Sequence, residues 1–323
     1  MREITICEVH GILAGHAEEA GARTGCTAVL APGGAVGASW TPGFAPGSRE
    51  TEAMRPEALT GQVHGVCLAG GSALGLAAAS GVARYLVETG AGFDTGPVKV
   101  PVVPAAVIFD YPGNLSGGRL PDEGTGYRAA RGASAEPLEG GPRGAGVSAW
   151  SGRIAGNELC SPSGIGLYGL ELPSGLQIAA LAVVNALGSI MDRGTGRILS
   201  GARLPGGSLA DREQIMVMLE KIDPPAGNDF SREDGGGAGK GGVTEATTLA
   251  VVATNAPLGR LGALRLARMA SAGMARTIYP AHLLFDGDTV FALATSGGPA
   301  CGESWLGALA ADVLAEAIMR SVP

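Results

Sequence analysis

The feature that most constrains the fold is an abrupt change of composition in the C-terminal part of the chain. Residues 223–242, DPPAGNDFSREDGGGAGKGG, combine two prolines, seven glycines and many charges, which is the composition of a mobile linker. Soon after it, residues 247–254, TTLAVVAT, form an apolar run with the length of a buried strand. The sequence therefore predicts a linker at about 223–243 that leads straight into a rigid strand.

The composition of the whole chain predicts a layered α/β (α+β) protein. Of its 323 residues, 46% are hydrophobic and 16% are charged, which excludes a disordered chain. The 55 glycines and the low aromatic content of 4% favour close backbone packing and many turns. Strand-like and helix-like segments alternate without a regular βαβ rhythm. We therefore expect a mixed sheet system covered by helices, and a four-layer αββα sandwich fits that description.

The periodicity of the apolar residues predicts individual elements. Strands are expected at 3–10, 25–31, 99–110, 247–254 and 288–295. The segment 61–90 reads as a strand, a glycine turn and a helix, whereas 144–156 and 164–172 read as two paired strands. Further helices are expected at 208–222, 259–278 and 305–320, and the last of these is expected to be amphipathic.

Charge and composition exclude several classes of function. The formal net charge is −7 and no basic cluster stands out, so we expect no nucleic-acid partner. The N-terminal residues lack the apolar core of a signal peptide, and the most apolar run, 176–191, is too short to span a membrane. We therefore expect a cytoplasmic protein without a membrane partner. The five cysteines and four histidines are widely dispersed, which argues against a disulfide framework, a metal site or a cofactor.

The start of the 247–254 strand offers a candidate nucleophile. A threonine hydroxyl needs a base close by, and a threonine that becomes an N-terminus supplies one through its own α-amine. Self-cleavage in front of such a threonine favours a small preceding residue, a mobile segment upstream and a rigid strand downstream. Ala246 and Thr247 stand in this context. Thr248, which points to the opposite face of a strand, and the nearby Thr244 are competing candidates, and a purely structural role at a strand start is the plain alternative.

Several segments, taken in order, resemble one enzyme family. The two that carry most of the resemblance are EATTLAVVATNAPL at 245–258 and HLLFDGDTVFALAT at 282–295. The others lie at 24–39, 64–82, 105–110, 144–156 and 181–193. Together they resemble the self-processing N-terminal-nucleophile amidases, a family that includes D-aminopeptidase, β-peptidyl aminopeptidases and the endo-type nylon-oligomer (6-aminohexanoate oligomer) hydrolase. The threonine and the DGD motif are most similar to the nylon-oligomer hydrolase branch.

The resemblance implies a fold, a cleavage site and a set of site residues. It implies a single-domain αββα fold cut between Ala246 and Thr247, so that 1–246 and 247–323 become two chains of the same fold. Thr247 is implied as the nucleophile, with Asp286 and Asp288 beside its amine and hydroxyl. Asn185 is implied as the donor to the oxyanion of the tetrahedral intermediate. For the two aspartates the alternative is a hairpin turn, and for Asn185 it is an ordinary strand-end asparagine bonded to backbone.

This sequence also departs from the family pattern at positions that matter for chemistry. Ala246 stands where the nylon-oligomer hydrolase has Asn and the aminopeptidases usually have Gly. Arg153 replaces an active-site lysine, and it keeps the charge but cannot act as a base. Phe109 stands where a tyrosine often assists the oxyanion, and Tyr111 follows two residues later. The glycine turn at Gly70 and Gly71 corresponds to a loop that borders the substrate pocket in this family.

Three functions remain open at this point. The first is a self-processed amidase acting on a small or short oligomeric amide, either a nylon-6-type oligomer or a short peptide, without metal or cofactor and as a homo-oligomer of αβ units. Its variant is an aminopeptidase acting on peptides of D- or β-amino acids. The second is an acyltransferase of the ornithine acetyltransferase type, in which Ala also precedes a nucleophilic Thr. The third is an unprocessed, non-catalytic homologue that binds a small molecule.

Overall fold

A computed structural model describes residues 1–110, 118–222 and 246–323. Tyr111 and the predicted linker at about 223–243 lie outside the described residues, as does Thr244. The described part forms one domain built from a ten-stranded sheet system and packed helices.

The elements are numbered in chain order. The strands are β1 (Arg2–Ile4), β2 (Leu13–Glu18), β3 (Gly25–Trp40), β4 (Ser48–Arg49), β5 (Val63–Ala69), β6 (Phe93–Asp94), β7 (Lys99–Val100), β8 (Ala105–Val107), β9 (Trp150–Ser151), β10 (Ser161–Pro162), β11 (Ile165–Glu171), β12 (Gln177–Asn185), β13 (Ser189–Met191), β14 (Ile198–Ser200), β15 (Thr247–Thr254), β16 (Ile278–Tyr279) and β17 (Thr289–Ala294). The helices are α1 (Ala78–Glu88), α2 (Glu123–Arg131), α3 (Arg212–Ile222), α4 (Arg260–Ala270), α5 (Ala272–Thr277) and α6 (Glu303–Met319). Short 3-10 turns lie at Ile6–Glu8, Thr51–Met54, Ser72–Ala77, Gly144–Gly146 and Arg153–Ala155.

Strand β3 connects two sheets. Its C-terminal half pairs with β17 in the first sheet, whose order is β1-β11-β12-β15-β17-β3. Its N-terminal half pairs with β2 and β5, and β8 and β4 complete the second sheet. Pro32, Gly33 and Gly34 lie between the two halves, and Gly34 has a positive φ of 82°. The register of the β3–β5 pair shifts at this point, so the prolyl-glycyl-glycine sequence allows one strand to serve both sheets.

Three apolar clusters separate four layers. The cluster between the two sheets contains Leu249, Val251 and Phe291 from the first sheet and Val29 and Leu68 from the second. The outer face of the first sheet packs on α4, α5 and α6, and the outer face of the second packs on α1 and α2. The predicted αββα sandwich is confirmed. Because side chains alternate along a strand, Thr247 shares the inner face with Leu249, and Thr248 faces the helices with Ala250.

Several predictions about single elements are wrong. The strand expected at 3–10 ends at Ile4, because Ile6–Glu8 is a 3-10 turn, and the strand expected at 99–110 is two short strands, β7 and β8. Segments 144–156 and 164–172 do not form a strand pair, because Gly144–Gly146 is a 3-10 turn and β9 pairs with β10. Strand β11 pairs instead with β1 and β12. Helix α6 is not amphipathic: it packs on α4, α5 and the first sheet, and it is buried around most of its circumference.

Among the described residues, none of the helices has the length and apolar character needed to cross a bilayer. All five cysteines are free thiols.

A matched pair of leucines tests the importance of the layer between the sheets. Leu293 of β17 is fully buried in this layer, whereas Leu59 is 86% exposed. We expect Leu293→Ala to lower the free energy of unfolding by about 2–5 kcal/mol, since it leaves a cavity between two sheets. Leu59→Ala should change it by less than about 0.5 kcal/mol. Urea denaturation followed by circular dichroism measures both, and equal losses for the two variants would contradict the layer assignment.

Candidate active site

Thr247 is the first residue of β15 and lies in the middle of the first sheet. Its Cα partner on the antiparallel strand β12 is Asn185, the last residue of that strand. Thr247 is 5% exposed and Asn185 is fully buried. Both side chains belong to the inner face of the sheet, because their strand neighbours Val183 and Leu249 both pack between the sheets. Directly opposed residues have Cβ atoms about 4.5–5.5 Å apart, so the hydroxyl and the amide are neighbours.

The DGD motif, residues 286–288, holds the peptide bond that precedes Thr247 on the side away from β12. Ala246 is fully buried and forms a parallel β-bridge with Asp286. The backbone N–H of Gly287 donates to the carbonyl oxygen of Ala246 at 3.0 Å. A Cβ placed on Gly287 would lie 2.7 Å from Thr247 Oγ1, so the glycine is in close contact with the hydroxyl. The structure thus holds the Ala246–Thr247 bond between two strands.

Asp288 is tied to both β15 and a histidine. Its Oδ1 accepts from the backbone N–H of Thr248 at 2.7 Å. Its Oδ2 lies 2.8 Å from His282 Nδ1 and accepts from the His282 backbone N–H at 3.3 Å. The dispersed histidines predict no metal site, and the sequence-based prediction assigns no role to His282, so it misses this contact. The signal was present, because His282 precedes Asp288 by six residues within the HLLFDGD motif.

Asp286 is a buried carboxyl group with a strongly raised pKa. Its Oδ2 accepts from the backbone N–H of Leu283 at 2.8 Å, and its side chain is otherwise withdrawn from water. Burial, followed by the charge of Asp288, raises its pKa from 3.8 to about 8. The backbone carbonyl of Asp286 accepts from the N–H groups of Phe44 and Ala45 at 2.8 and 2.9 Å, which fixes the motif against the segment that follows β3.

The DGD motif is not a β-hairpin. The strand that follows it, β17, pairs with β15 in parallel and with β3, whereas the preceding strand β16 pairs with β13 in another sheet. A turn does occur just before the motif, where the Asp286 N–H donates to the Leu283 carbonyl. The carboxylates are therefore carried by the segment that enters β17.

Asn185 is anchored by three hydrogen bonds. Its Oδ1 accepts from the Trp150 N–H at 3.2 Å and from Arg153 Nη1 at 3.1 Å, and its Nδ2 donates to the carbonyl of Phe109 at 2.8 Å. An amide nitrogen carries two hydrogens. In the part of the chain that the structure describes, the second has no acceptor, so Asn185 is both a satisfied core asparagine and a residue with one donor left.

Arg153 helps to hold the Asn185 side chain in place. It is 2% exposed, and its Nη1 donates to the carbonyls of Phe109 and Asp110 as well as to Asn185. The Phe109 ring centre lies 6.0 Å from the Arg153 Cζ. Phe109 therefore contacts Asn185 through its backbone carbonyl. The Arg153 guanidinium donates both to this carbonyl and to Asn185 itself, and so helps to position the Asn185 amide.

The glycine turn reaches the site through Asp110, to which the sequence assigns no role. The Gly71 N–H donates to Asp110 Oδ1 at 2.9 Å, and Thr24 Oγ1 donates to Oδ2 at 2.5 Å. A Cβ on Gly70 would lie 2.1 Å from Asp110 Oδ2, so only glycine fits there. Gly71 has a positive φ of 83°. The turn positions Asp110, and Asp110 adjoins the Phe109 carbonyl.

The described residues hold no candidate metal site. Within residues 1–110, 118–222 and 246–323, no group of three or more His, Cys, Asp and Glu side chains is arranged to hold a metal ion.

The αββα sandwich is the architecture of the N-terminal-nucleophile (Ntn) hydrolases. In this chain its central strand begins at a buried threonine that faces an amide and adjoins two carboxyl groups. The chain belongs to peptidase family S58, whose family model matches residues 5–323.

Relatives in the curated proteins span nearly the whole chain. An uncharacterized aminopeptidase of Mycobacterium tuberculosis is 38% identical over 98% of this chain and 93% of its own length. A similar protein of Mycobacterium leprae is 37% identical over 98% of this chain and 90% of its own length. The 6-aminohexanoate-oligomer endohydrolase of an Agromyces species is 29% identical over 94% of this chain and 78% of its own length.

Solved structures show the same fold. A β-aminopeptidase of a Burkholderia species matches with a TM-score of 0.65 and 18% identity, over 98% of this chain and 85% of its own. The L-aminopeptidase D-Ala-esterase/amidase of Ochrobactrum anthropi, described as a variant of the Ntn hydrolase fold, matches with a TM-score of 0.67 and 17% identity over the same shares. Family and relatives together support hydrolysis of an amide or peptide bond as the class of reaction.

The raised pKa of Asp286 predicts a pH-dependent stability of the uncut chain. The unfolded chain releases the Asp286 proton near 3.8, whereas the folded chain holds it to about 8. The stability that this group contributes is therefore complete below about pH 4 and is lost as the pH rises towards 8, by up to about 1.4 kcal/mol per pH unit. Thr247→Ala removes the candidate nucleophile and serves as the parent that stays uncut. In this parent, the added substitution Asp286→Asn should give a stability advantage that grows as the pH rises from 5 to 8.

Thermal unfolding at several pH values measures this difference. Asp94→Asn serves as the control, because it makes the same change at an exposed carboxylate. A difference between the Asp286→Asn variant and its parent that stays constant over this range would contradict the raised pKa.

Proposed function

We propose that this protein is a self-processed amide hydrolase that uses Thr247 as an N-terminal nucleophile. One observation carries the proposal: the two strand pairings at residues 246 and 247. They surround a single peptide bond with a hydroxyl, an amide donor and two carboxyl groups. The family match over residues 5–323 supports the reaction class. Ala246, in place of the residues usual in the resembling branches, is small and leaves its carbonyl open to the hydroxyl.

Self-cleavage comes first. The Thr247 hydroxyl oxygen adds to the Ala246 carbonyl carbon, and the C–N bond then breaks, so that Ala246 becomes an ester on Thr247 Oγ1. Water hydrolyses this ester and leaves Thr247 with a free α-amine. Such an amine has an ordinary pKa of about 7.7–8.0, so a useful fraction is unprotonated near neutral pH. The amine is the base that the threonine hydroxyl lacked before the cut.

The carboxyl groups of Asp286 and Asp288 can balance the positive charge of the new Thr247 amine. In the uncut chain, Asp286 retains its proton up to about pH 8. After the cut, an ammonium group appears beside them and favours their ionised form. The Asp288 carboxylate accepts from Thr248 and His282, which hold its orientation. The pair thus positions the Thr247 amine and shares its proton.

Hydrolysis of a substrate repeats the same chemistry on a foreign carbonyl. The amine takes the Thr247 hydroxyl proton as the oxygen attacks, and the second Nδ2 hydrogen of Asn185 donates to the oxyanion. The leaving amine takes up the proton, and water then releases the acyl group from Thr247. Arg153 and the Phe109 carbonyl keep the Asn185 amide in place.

The substrate that we propose is a linear amide oligomer of the 6-aminohexanoate type or a short peptide. The Agromyces relative is named for endohydrolysis of 6-aminohexanoate oligomers. A second candidate is an aminopeptidase activity on peptides of D- or β-amino acids, because the more similar mycobacterial proteins carry the name aminopeptidase.

Adjacent threonines allow a matched test of the nucleophile. Thr248 is buried on the helix side, and its Oγ1 has no hydrogen-bond partner among the residues that the structure describes. Valine has the shape of threonine, so Thr248→Val should be tolerated and should leave cleavage intact. Thr247→Val removes the attacking oxygen and should give a single full-length chain. Intact mass under denaturing conditions reads out both, and cleavage at 246/247 in the Thr247→Val chain would show that the nucleophile is wrong.

A pair of substrates separates the two candidate activities. A 6-aminohexanoate oligomer and the same oligomer with an acetylated amine differ at one end, where the second has no free amine. An endo-acting amidase should cleave both at rates within about threefold, whereas an aminopeptidase should lose about 100-fold or more on the blocked chain, since each 1.4 kcal/mol of lost binding is tenfold. Chromatography of the products measures the rates. Transfer of the acyl group to ornithine, in place of release of free acid, would contradict both.

A further inference from the structure

We propose that the backbone N–H of Gly287 is the oxyanion donor for self-cleavage, in a role separate from that of Asn185. This inference rests on the proposed function, because it concerns how the Ala246–Thr247 bond is broken. The main chain of the DGD motif would then stabilise the negative charge that forms on the Ala246 carbonyl oxygen during self-cleavage.

The donor already lies on the oxygen that becomes charged. Gly287 N donates to the Ala246 carbonyl oxygen at 3.0 Å. When Thr247 Oγ1 adds to the Ala246 carbon, the π electrons of the carbonyl move to this same oxygen. The negative charge then sits on an atom with a hydrogen-bond donor in place, and no group has to move to meet it. Preorganised donors of this kind are the most effective means of stabilising an oxyanion.

The segment that carries this donor is held firmly. The Asp286 carbonyl accepts from the N–H groups of Phe44 and Ala45, and the Asp288 carbonyl accepts from that of Gly43 at 3.4 Å. The Asp286 side chain is bonded to Leu283 N–H, and the Asp288 side chain to Thr248 N–H. Both neighbours of Gly287 are thus fixed through main chain and side chain, and the N–H between them has a defined direction.

Asn185 has a different position in the uncut chain. It pairs with Thr247 and not with Ala246, and its Nδ2 donates to Phe109. No hydrogen bond joins Asn185 to the Ala246 carbonyl within the described ranges. The geometry therefore gives the two donors different targets: Gly287 meets the carbonyl of the chain itself, and Asn185 has a free hydrogen for an incoming substrate.

The absence of a side chain at position 287 serves the same step. A Cβ there would lie 2.7 Å from Thr247 Oγ1 and 2.7 Å from the Ala45 carbonyl oxygen. It would displace the hydroxyl from its path to the Ala246 carbon. In the step itself, the Oγ1–C bond forms, the C–N bond breaks, and the hydroxyl proton ends on the released Thr247 nitrogen. Gly287 N–H only donates a hydrogen bond and is unchanged at the end.

An amide-to-ester exchange removes the donor without adding a side chain. Cell-free translation that inserts glycolic acid at position 287 replaces the N–H by oxygen and keeps the shape of glycine. We expect self-cleavage, followed by intact mass over time, to slow by roughly 100-fold or more, which is the usual effect of removing one oxyanion donor. Glycolic acid at position 298 is the matched control, because Gly298 N–H donates to the Asn255 carbonyl at 2.8 Å, away from the site. That chain should be cut at nearly the normal rate.

The outcomes separate this inference from the proposed function. If the 287 ester is cut as fast as the unmodified chain while Thr247→Val remains uncut, the Gly287 assignment is wrong and the Thr247 nucleophile stands. If the unmodified chain itself is never cut, both are wrong. Equal slowing of the 287 and 298 esters would show a general effect of ester linkages and would also overturn the assignment. As a second measurement, Gly287→Ala, which keeps the N–H but crowds Oγ1, should also slow the cut, and normal cutting would contradict the close contact.

Discussion

The candidate site depends on the parallel pairing of β15 with β17. In a parallel pair both strands begin at the same end of the sheet, so the residues just before them become neighbours. Asp288 lies 40 residues after Thr248 in the sequence, yet it accepts the Thr248 N–H because of this pairing. Antiparallel pairing of the same two strands would place the DGD motif at the opposite end of β15. The proximity of the carboxylates to Thr247 therefore follows from strand direction.

The neighbouring antiparallel strand supplies the complementary half of the site. Strand β12 ends where β15 begins, and this register sets Asn185 opposite Thr247. Its amide is then fixed by Arg153 and by the Phe109 carbonyl, which comes from the end of the second sheet. Groups from both sheets thus converge at one end of the sandwich. Burial there strengthens each interaction, and it also explains why Asp286 holds a proton far above its ordinary pKa.

The sequence predicts the rigid parts of this arrangement well and the irregular parts poorly. The apolar runs at 247–254 and 288–295 are correctly predicted as strands, because uninterrupted β-branched and small apolar residues leave few alternatives. The segment 144–156 was misassigned, since its glycines and scattered apolar residues fit a short strand as well as a 3-10 turn. The sequence does carry a signal for His282, which stands in the same motif as Asp288. The contact of Gly287 N–H with the Ala246 carbonyl depends on a main-chain conformation that no local pattern encodes. The resemblance implies roles for Thr247, Asn185 and the aspartates, and the strand pairings of the structure make them neighbours.

The order of strands in the first sheet has a consequence for assembly. Strands β15 and β17 lie side by side, with β12 on one flank and β3 on the other. With a cut before Thr247, the two central strands would belong to one polypeptide and both flanking strands to the other. The shorter product would thus be inserted into the longer one and hydrogen-bonded along both edges. Such a pair forms most directly if folding precedes the cut, because both edges of the inserted pair of strands are hydrogen-bonded to the longer product.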